Sequence, residues 1–494
     1  MKHKSSRTIL LLIGLLPFVF WLFTYLNADV WYDEISTFES FVLTDFGTPL
    51  LNYPFPNNHV LYSFLTQCLA YLINCLDLKA LFQSIPIFRG FQAFFMLVTA
   101  LYSYKITERF FKVKHSVLIF VVLFTTIPFM NFGLQLRGYN MSATLLVMIL
   151  YYVWKLVEKP KFWTGIVLVI LSASLLYTIP SNIYALASIM IALGVIWIVK
   201  KRTKNIESQA YFYAPVLLIF GIIVSLILYL PILENVIFND YSIKRPEDFW
   251  YSLKLIPLVF SAFLSNRWAL LLPLIIGLWY ILKSENIVRK QHLFVLITSI
   301  VFPFILSFIH QRFPFDRIFV VIVPFFCILL VVALDQCLSQ LKTSRFVFLL
   351  SGILSIYCVL TFYYEIERND SVVISNLDKG EITQNIYQNY YLSTAFHPSK
   401  SAAFIENLSD YDTLIKYNQL DFPSVNQYLL TKDIEFTQVN SPQLLDSLAT
   451  TVNTAIVITS FKKKTMMELS SYPINVRILN DDHSFMTVLE LKKK

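Results

Sequence analysis

The chain has 494 residues, of which 56% are hydrophobic, 16% aromatic and only 15% charged. Because soluble globular proteins carry about 25% charged residues, this composition indicates a membrane protein and excludes disordered, fibrous and collagen-like classes. The net charge of +8 arises in residues 1–364, which hold 28 Lys and Arg against 16 Asp and Glu, whereas residues 365–494 hold 12 against 16. In a membrane protein this basic excess indicates charge-directed orientation, and nucleic-acid binding is not expected.

The N-terminal segment reads as a retained signal anchor. Three basic residues up to Arg7 precede an apolar run from about Thr8 to Leu26, which is long enough to cross about 30 Å of hydrocarbon. No small-x-small cleavage site precedes Asp29. Ten more spans are predicted, eleven in all, at 88–107, 115–133, 139–155, 162–178, 183–199, 211–230, 267–282, 292–309, 317–335 and 346–364.

Two further apolar stretches, 59–76 and 247–264, are assigned to the outer membrane interface because of the loop charges. With neither crossing, the cytoplasmic segments hold 19 Lys and Arg, and the outer segments up to residue 364 hold nine. Counting 59–76 as a span would invert every later loop, against the positive-inside bias. The N-terminus is therefore predicted in the cytoplasm and the C-terminal domain outside.

The predicted fold is a polytopic α-helical membrane domain, residues 1–364, followed by an extracytoplasmic α/β domain, residues 365–494. Polar helical stretches at 400–408 and 441–449 alternate with β-rich runs in the second domain. Those runs are 413–416, 434–439, 455–460, 474–479 and 485–491. All five Cys lie in or beside apolar segments, so neither a disulfide framework nor a CxxC metal site is expected.

The loop after the first span is acidic, with five carboxylates and no Lys or Arg between residues 27 and 58. A solvated acidic loop is one interpretation. A short helix on the membrane surface is the other, because apolar residues recur at helical spacing: Tyr32, Ile35, Phe38 and Val42. Asp33 and Glu34 then lie in its first turn, where the helix dipole favours the ionised form. Such a carboxylate is suited to take a proton from an incoming hydroxyl or amine.

Arginines lie on other predicted outer segments, at Arg137, Arg312 and Arg317. Singly, a basic residue at the end of a span is ordinarily an anchor for lipid head groups. Together, the three could clamp a phosphate near the acidic loop. A carboxylate base that faces a cationic phosphate clamp is the minimum machinery for displacing a lipid phosphate from a sugar.

Four motifs follow one another along the chain: Asp33-Glu34, Pro56-Asn-Asn-His-Val-Leu-Tyr62, Arg137-Gly-Tyr139, and Phe315-Asp-Arg-Ile-Phe319 followed by Pro324. In this order they resemble the GT-C glycosyltransferases, in particular the branch with protein O-mannosyltransferases and lipid A aminoarabinose transferases. The resemblance covers most of residues 1–364 and does not extend to the C-terminal domain.

The resemblance implies a polyprenyl-phosphate-linked monosaccharide donor, a lipid, glycan or protein acceptor, and inversion at the anomeric carbon. The site would lie on the extracytoplasmic face of a bacterial inner membrane. Asp33 takes the position of the family's catalytic acidic residue, with Glu34 as an orienting companion. Arg317 matches the arginine of the family's late outer loop and is the leading candidate for the donor phosphate, with Arg312 and Arg137 beside it. Candidate substrate contacts are His59, Tyr62, Tyr139, His310, Lys244 and Arg245.

The sequence leaves the use of a metal ion open. His59 and the acids of the first loop could meet a divalent cation, but their spacing is not diagnostic of a metal site. Arg137 stands where some relatives have a second acidic residue, which weakens the case for a metal bridged between two acidic loops. No P-loop or Gly-rich phosphate cradle is present in the sequence.

Two other functions fit the composition. A transporter or flippase for a lipid-linked sugar would bury ionisable residues at mid-membrane, and the predicted spans hold almost none away from their ends. A non-catalytic envelope assembly protein would bind a partner through its outer domain.

The segment 234–266 is either a lid over the substrate or an interfacial helix that seals the bundle.

Overall fold

The computed structural model describes residues 2–203, 208–238, 249–310, 316–341, 343–379, 397–409, 411–417, 422–439, 453–481 and 487–493, with four single residues between 441 and 451. Three predicted site residues, Lys244, Arg245 and Arg312, lie outside the described residues. Most of the predicted helix at 441–449 does so as well.

All regular secondary structure in the described part of the membrane domain is helical, with short 3-10 or π segments at Phe38–Val42, Pro180–Asn182, Leu230–Ile232, Trp268–Leu270 and Asp316–Ile322. Its helices are α1 (Lys2–Tyr25), α2 (Tyr32–Thr37), α3 (Thr48–Leu51), α4 (Val60–Leu72), α5 (Leu78–Arg109), α6 (Leu118–Phe124), α7 (Ile127–Leu134), α8 (Tyr139–Glu158), α9 (Phe162–Thr178), α10 (Ile183–Arg202), α11 (Ser208–Tyr229), α12 (Leu233–Ile237), α13 (Phe249–Leu264), α14 (Leu271–Lys283), α15 (Ile287–Ile309), α16 (Val323–Ser339) and α17 (Ser344–Lys379).

By length and composition, eight helical stretches among the described residues could cross a membrane, which makes the chain a multi-pass membrane protein. They are Thr8–Tyr25, Leu78–Arg109, Tyr139–Glu158, Pro180–Arg202, Gln209–Ile237, Ile287–Ile309, Arg317–Ser339 and Arg345–Val372. A ninth is added if Ile256–Leu264 and Trp268–Lys283, which meet at a 95° bend, form one broken span. The polytopic architecture is confirmed, with fewer spans than the eleven expected.

Two predicted spans account for most of the difference. Segment 115–133 is broken into α6 and α7 at Thr125 and Thr126, whose hydroxyls donate back to the carbonyls of Val121 and Val122. Such back-bonding competes with a continuous helix, and Pro128 in the first turn of α7 has no N–H to continue one. Helix α9 has 17 residues, at the lower limit for a span.

The centre of the bundle is α16, since 94% of the apolar window Arg317–Ser339 is buried. Around it the helices pack in pairs: α1 on α6, α5 on α8, α9 on α11, α10 on α15, and α14 on α16. Helix α4 has 13 residues and rises only about 20 Å, too short to cross the hydrocarbon, as the loop charges predicted for 59–76.

The C-terminal domain is a mixed α/β unit, as predicted. Its elements are α18 (Pro398–Glu406), β1 (Thr413–Tyr417), α19 (Phe422–Leu430), β2 (Thr437–Val439), β3 (Thr454–Thr459), α20 (Lys462–Leu469), β4 (Ile474–Asn480) and β5 (Thr487–Lys493). The strand order is β2-β1-β3-β5-β4; β1 is parallel to β2 and β3, and β5 is antiparallel to β3 and β4. Each of the five predicted β-rich runs overlaps a strand, although β2 covers only Thr437–Val439 of the run 434–439. The predicted boundary at 364/365 falls inside α17, which continues to Lys379.

The close packing of α14 against α16 depends on Gly277. A Cβ built there would lie 2.2 Å from the Ala333 carbonyl oxygen, which is main chain and cannot rotate away. Small residues allow this kind of backbone approach between membrane helices. We expect Gly277→Ala to lower the free energy of unfolding in detergent by about 2 kcal/mol through overpacking. Gly352→Ala in α17 is the control and should not destabilise, because no atom beyond its own helix backbone lies within 4 Å of the new Cβ. Equal losses in the two variants would contradict this packing.

Candidate active site

Asp33 and Glu34 lie on a short helix, as the apolar spacing predicted. The predicted contact of its apolar face with the membrane surface is wrong, because Ile35, Phe38 and Val42 are buried in a cluster shared with the C-terminal domain. Helix α2 begins at Tyr32, and Asp33 and Glu34 are in its first turn. The Glu34 carboxylate accepts a hydrogen bond from the backbone N–H of Trp31 at 2.6 Å, which satisfies a donor that the helix start leaves open. Glu34 is fully buried, whereas the Asp33 side chain is 17% exposed. The two neighbours therefore face different surroundings.

Glu34 forms a buried ion pair with Arg89 of α5. Arg89 Nη1 donates to Glu34 Oε1 at 2.5 Å, and neither side chain has exposed area. The same guanidinium also donates to the carbonyls of Ala28, Asp29 and Leu134. The backbone N–H of Leu136 donates to Glu34 Oε1 at 2.6 Å. This pair thus ties α5 to the start of the first loop and to the segment after α7.

Asp33 is held by two arginines from distant parts of the chain. Its Oδ2 atom accepts from Arg137 Nη1 at 2.6 Å and from Arg317 Nη1 at 2.8 Å. The exposed fractions of the side chains differ: 1% for Arg137 and 29% for Arg317. The structure therefore brings three of the residues singled out in the sequence to one point, at the end of the bundle where α1, α7 and α15 finish.

The arginines keep Asp33 ionised. Burial by itself would raise the pKa of this carboxyl. The positive charges of Arg137 and Arg317, with side-chain hydrogen bonds from Arg317 and Asn57, outweigh burial and hold the pKa below its ordinary value of 3.8. Asp33 is thus a carboxylate at every physiological pH.

Arg137 is held beside Asp33 by contacts with Asn57 and Tyr139. Its Nη2 atom donates to Asn57 Oδ1 at 2.8 Å, and its guanidinium lies over the Tyr139 ring at 5.4 Å from the centroid. Gly138 is required beside it, because an added Cβ would lie 2.8 Å from the Thr178 side chain and 3.0 Å from His59 Cβ. The Arg-Gly-Tyr motif therefore reflects close packing as well as charge.

His59 is a buried, neutral side chain. Its Nδ1 atom accepts the backbone N–H of Gly138 at 2.8 Å, and its Nε2 atom lies 3.4 Å from Arg137 Nη2. Burial lowers the pKa of His59, and the charges of Arg137 and Arg317 lower it further, to well below 6.5. The lone pair on Nδ1 is used by the backbone, so His59 holds Gly138 in place.

The remaining described candidates from the sequence differ in their contacts: Tyr139 and Tyr62 contact residues that hold the site, whereas His310 contacts Tyr184. Tyr139 packs edge-on against His59, with ring centroids 4.8 Å apart. The buried Tyr62 hydroxyl accepts from Gln92 Nε2 at 2.7 Å, and Gln92 also donates to the Arg137 carbonyl. His310 is exposed, with its Nδ1 atom 2.7 Å from the Tyr184 hydroxyl. Through these contacts, Tyr139 holds His59 in position, and Tyr62 holds Gln92, which bonds to Arg137.

Among the described residues, no group of three or more His, Cys, Asp and Glu side chains is placed to hold a metal ion. Of the charged groups that the structure describes, those bonded to the Asp33 carboxylate are guanidinium groups, which repel a cation.

Sequence reasoning missed Arg89, Asn57 and Gln92. Arg89 carried a usable signal, since it is an ionisable residue within an otherwise apolar stretch, and such residues mark functional or structural ion pairs in membrane helices. The neutral side chain of Gln92 gave no comparable signal, whereas Asn57 stood in the Pro-Asn-Asn-His motif without a role of its own.

No protein-family model matches the sequence, and no curated protein matches it. Solved structures do match. ArnT from Cupriavidus metallidurans in the apo state is 13% identical with a TM-score of 0.54, over 99% of this chain and 98% of that one. ArnT from the same organism bound to undecaprenyl phosphate is 14% identical with a TM-score of 0.51, over 97% of each chain. The chain therefore has the fold of ArnT along nearly its whole length, including the C-terminal domain.

Breaking the buried pair should destabilise the protein. Arg89→Met leaves the Glu34 charge buried without its partner, so we expect the free energy of unfolding to fall by about 3–5 kcal/mol. Arg109→Met, in the same helix, is the matched control because its pair with Glu158 is 45% and 39% exposed, and it should cost about 1 kcal/mol or less. Chemical unfolding in detergent measures both. Similar losses in the two variants would show that the buried pair stabilises the fold no more than the exposed pair does.

The depressed pKa of Asp33 predicts a specific pH dependence. Because the folded-state pKa lies below the unfolded value, the ion pairs stabilise the fold fully above that value and are lost as pH falls through the folded-state pKa. We expect the difference in unfolding temperature between the unchanged protein and Asp33→Asn to stay constant from about pH 8 to 5. The difference in unfolding temperature should disappear only below about pH 4. A difference that changes between pH 6 and 8 would show instead that the pKa of Asp33 is raised.

Proposed function

We propose that the protein is a membrane glycosyltransferase that moves a monosaccharide from a polyprenyl-phosphate donor to an acceptor, with inversion at the anomeric carbon. The observation that carries this proposal is the partly exposed Asp33 carboxylate, ionised between Arg137 and Arg317. The fold shared with ArnT, one structure of which is bound to undecaprenyl phosphate, supports a polyprenyl-phosphate donor.

In the proposed reaction, Arg317 binds the donor phosphate. It is the most exposed of the three charged groups, and a phosphate oxygen can replace the Asp33 carboxylate as its partner. Arg137, which is buried, stays with Asp33 and keeps it ionised. The phosphate role that the sequence suggested for Arg137 is thus assigned to Arg317, and Arg137 holds the base.

Asp33 is the proposed general base. The acceptor hydroxyl or amine loses its proton to the Asp33 carboxylate as its oxygen or nitrogen bonds to the anomeric carbon. The bond from that carbon to the phosphate oxygen breaks, and its electron pair leaves with the polyprenyl phosphate. Attack from the face opposite the phosphate inverts the anomeric configuration. Arg317 stabilises the charge that develops on the leaving phosphate, so the leaving group does not need to be protonated.

The helix directions support an extracytoplasmic site. Three helices begin at the end of the bundle that carries Asp33 and end in basic residues at the other end: α5 at Lys105 and Arg109, α8 at Lys155, and α10 at Lys200, Lys201 and Arg202. Basic residues mark the cytoplasmic end of membrane helices. The candidate site and the C-terminal domain are therefore assigned to the outer face, and a bacterial inner membrane suits a polyprenyl-phosphate donor.

The test is transfer by purified protein in liposomes supplied with a set of polyprenyl-phosphate sugars and with lipid, glycan and peptide acceptors. Release of polyprenyl phosphate is measured. We expect Asp33→Asn to lower kcat by about 10²- to 10⁴-fold, the range for loss of a general base. Asp45→Asn, an exposed carboxylate on the same loop, is the control and should leave the rate unchanged. Equal rates for Asp33→Asn and the unchanged protein, or no donor consumed at all, would overturn the proposal and favour a transporter or assembly protein.

A further inference from the structure

The C-terminal domain bonds directly to the backbone that leads into Asp33. The backbone N–H of Ser399, at the start of α18, donates to Asp29 Oδ2 at 2.8 Å. The backbone N–H of Val30 donates to the Tyr428 hydroxyl at 3.2 Å. The Tyr428 hydroxyl in turn hydrogen-bonds to the Asp29 side chain. Two consecutive residues, three and four positions before Asp33, are thus tied to α18 and α19.

Tyr428 also contacts the helix that anchors Glu34. Its ring stacks on Phe82 of α5, with centroids 4.0 Å apart and an angle of 11° between the planes. Only 5% of Tyr428 is exposed. Phe82 lies two turns before Arg89, the partner of Glu34. Tyr428 therefore lies between the first loop and α5, and it contacts both.

The domain contacts the loop on the other side of Asp33 as well. Gln427 Nε2 donates to Glu39 Oε1 at 2.5 Å, six residues after Asp33. Apolar side chains of the two regions belong to one buried cluster, with Val30, Ile35 and Phe38 from the loop and Ala402, Ile405 and Leu429 from the domain. The segment with Asp33 is therefore bound to the domain both before and after α2.

A six-residue helix such as α2 cannot hold its own position, because isolated helices of this length are unstable in water. Its orientation is set by the groups to which its ends are attached. We propose that Tyr428 is a positioning residue for Asp33: its hydroxyl fixes the Asp29–Val30 backbone, so that the C-terminal domain sets the angle at which the carboxylate meets the substrates. This assignment rests on the proposed transfer reaction.

The test compares two tyrosines of the same domain. Tyr428→Phe removes the hydroxyl and keeps the ring that stacks on Phe82. Tyr417→Phe is the matched control, since Tyr417 is also buried and its hydroxyl donates to Glu468 at 2.7 Å, but its side chain belongs to a different buried cluster from that of the first loop. Transfer kinetics and amide hydrogen exchange over residues 29–37 are measured for the full-length protein in liposomes.

For Tyr428→Phe we expect kcat to fall by about tenfold to a hundredfold, because a misplacement of about 1 Å costs up to that much. The KM for the polyprenyl-phosphate sugar should stay the same, since Arg317 is untouched. Exchange over residues 29–37 should become faster. Tyr417→Phe should change none of these. Asp29→Asn keeps the side-chain shape and the stacked ring of Tyr428, and it should shift kcat and exchange in the same direction. It replaces Tyr428→Phe as the test if that variant does not fold.

The outcomes separate this assignment from the proposed function. Unchanged exchange in Tyr428→Phe overturns the positioning role whether or not the protein transfers sugar. Faster exchange with an unchanged kcat overturns it too, and so does an equal loss of kcat in Tyr417→Phe. No transfer by the unchanged protein overturns the proposed function itself, and the exchange data then still report whether the domain fixes the loop.

Discussion

The buried ion pair between Glu34 and Arg89 is the contact on which the candidate site depends. Neither side chain is exposed, so taking them out of water costs several kcal/mol for each ion, which only good geometry and further hydrogen bonds can offset. Those hydrogen bonds come from backbone groups before α2, at its start, at the end of α7 and just after it. Because one pair bonds to all of these segments, it fixes the distances between them. Asp33 and Arg137 are attached to two of these segments and are placed by it.

The charges around Asp33 match those of the proposed donor. In the described part of the site, two guanidiniums and one carboxylate leave a single positive charge, while Glu34 with Arg89 is neutral and His59 is uncharged at physiological pH. A sugar linked through a phosphodiester carries one negative charge. As the sugar departs, the phosphate gains a second charge, so fixed cations stabilise the transition state more than the bound donor. A site with equal numbers of acids and arginines would lack this preference.

The sequence predicted the parts of the site that local patterns and charge can identify. The helical spacing after Asp29 gave α2, and loop charge placed Asp33, Arg137 and Arg317 at one end of the bundle. It did not predict that both arginines bond to one oxygen of Asp33, because that depends on how α7 and α15 pack. Helix α5 begins ten residues earlier than predicted, since its first turns include the polar Lys79, Gln83 and Ser84, and Asp77 caps it. The ties from Tyr428 and Ser399 connect positions about 370 to 400 apart in the chain, and no pattern in one sequence shows such contacts.

The exposed fraction of the side chains rises from Arg137 through Asp33 to Arg317, and this gradient constrains the order of events in the proposed reaction. Arg137 is 1% exposed, Asp33 17% and Arg317 29%, while α5 and the C-terminal domain cover the other contacts of the first loop. A donor phosphate that arrives from the open side meets Arg317 first. When Arg317 turns to the phosphate, the Asp33 oxygen that both arginines share loses one of its two partners. With one cation fewer beside it, the carboxylate becomes more basic and sterically accessible to the acceptor. Donor binding therefore prepares the base, so the donor binds before the acceptor can react.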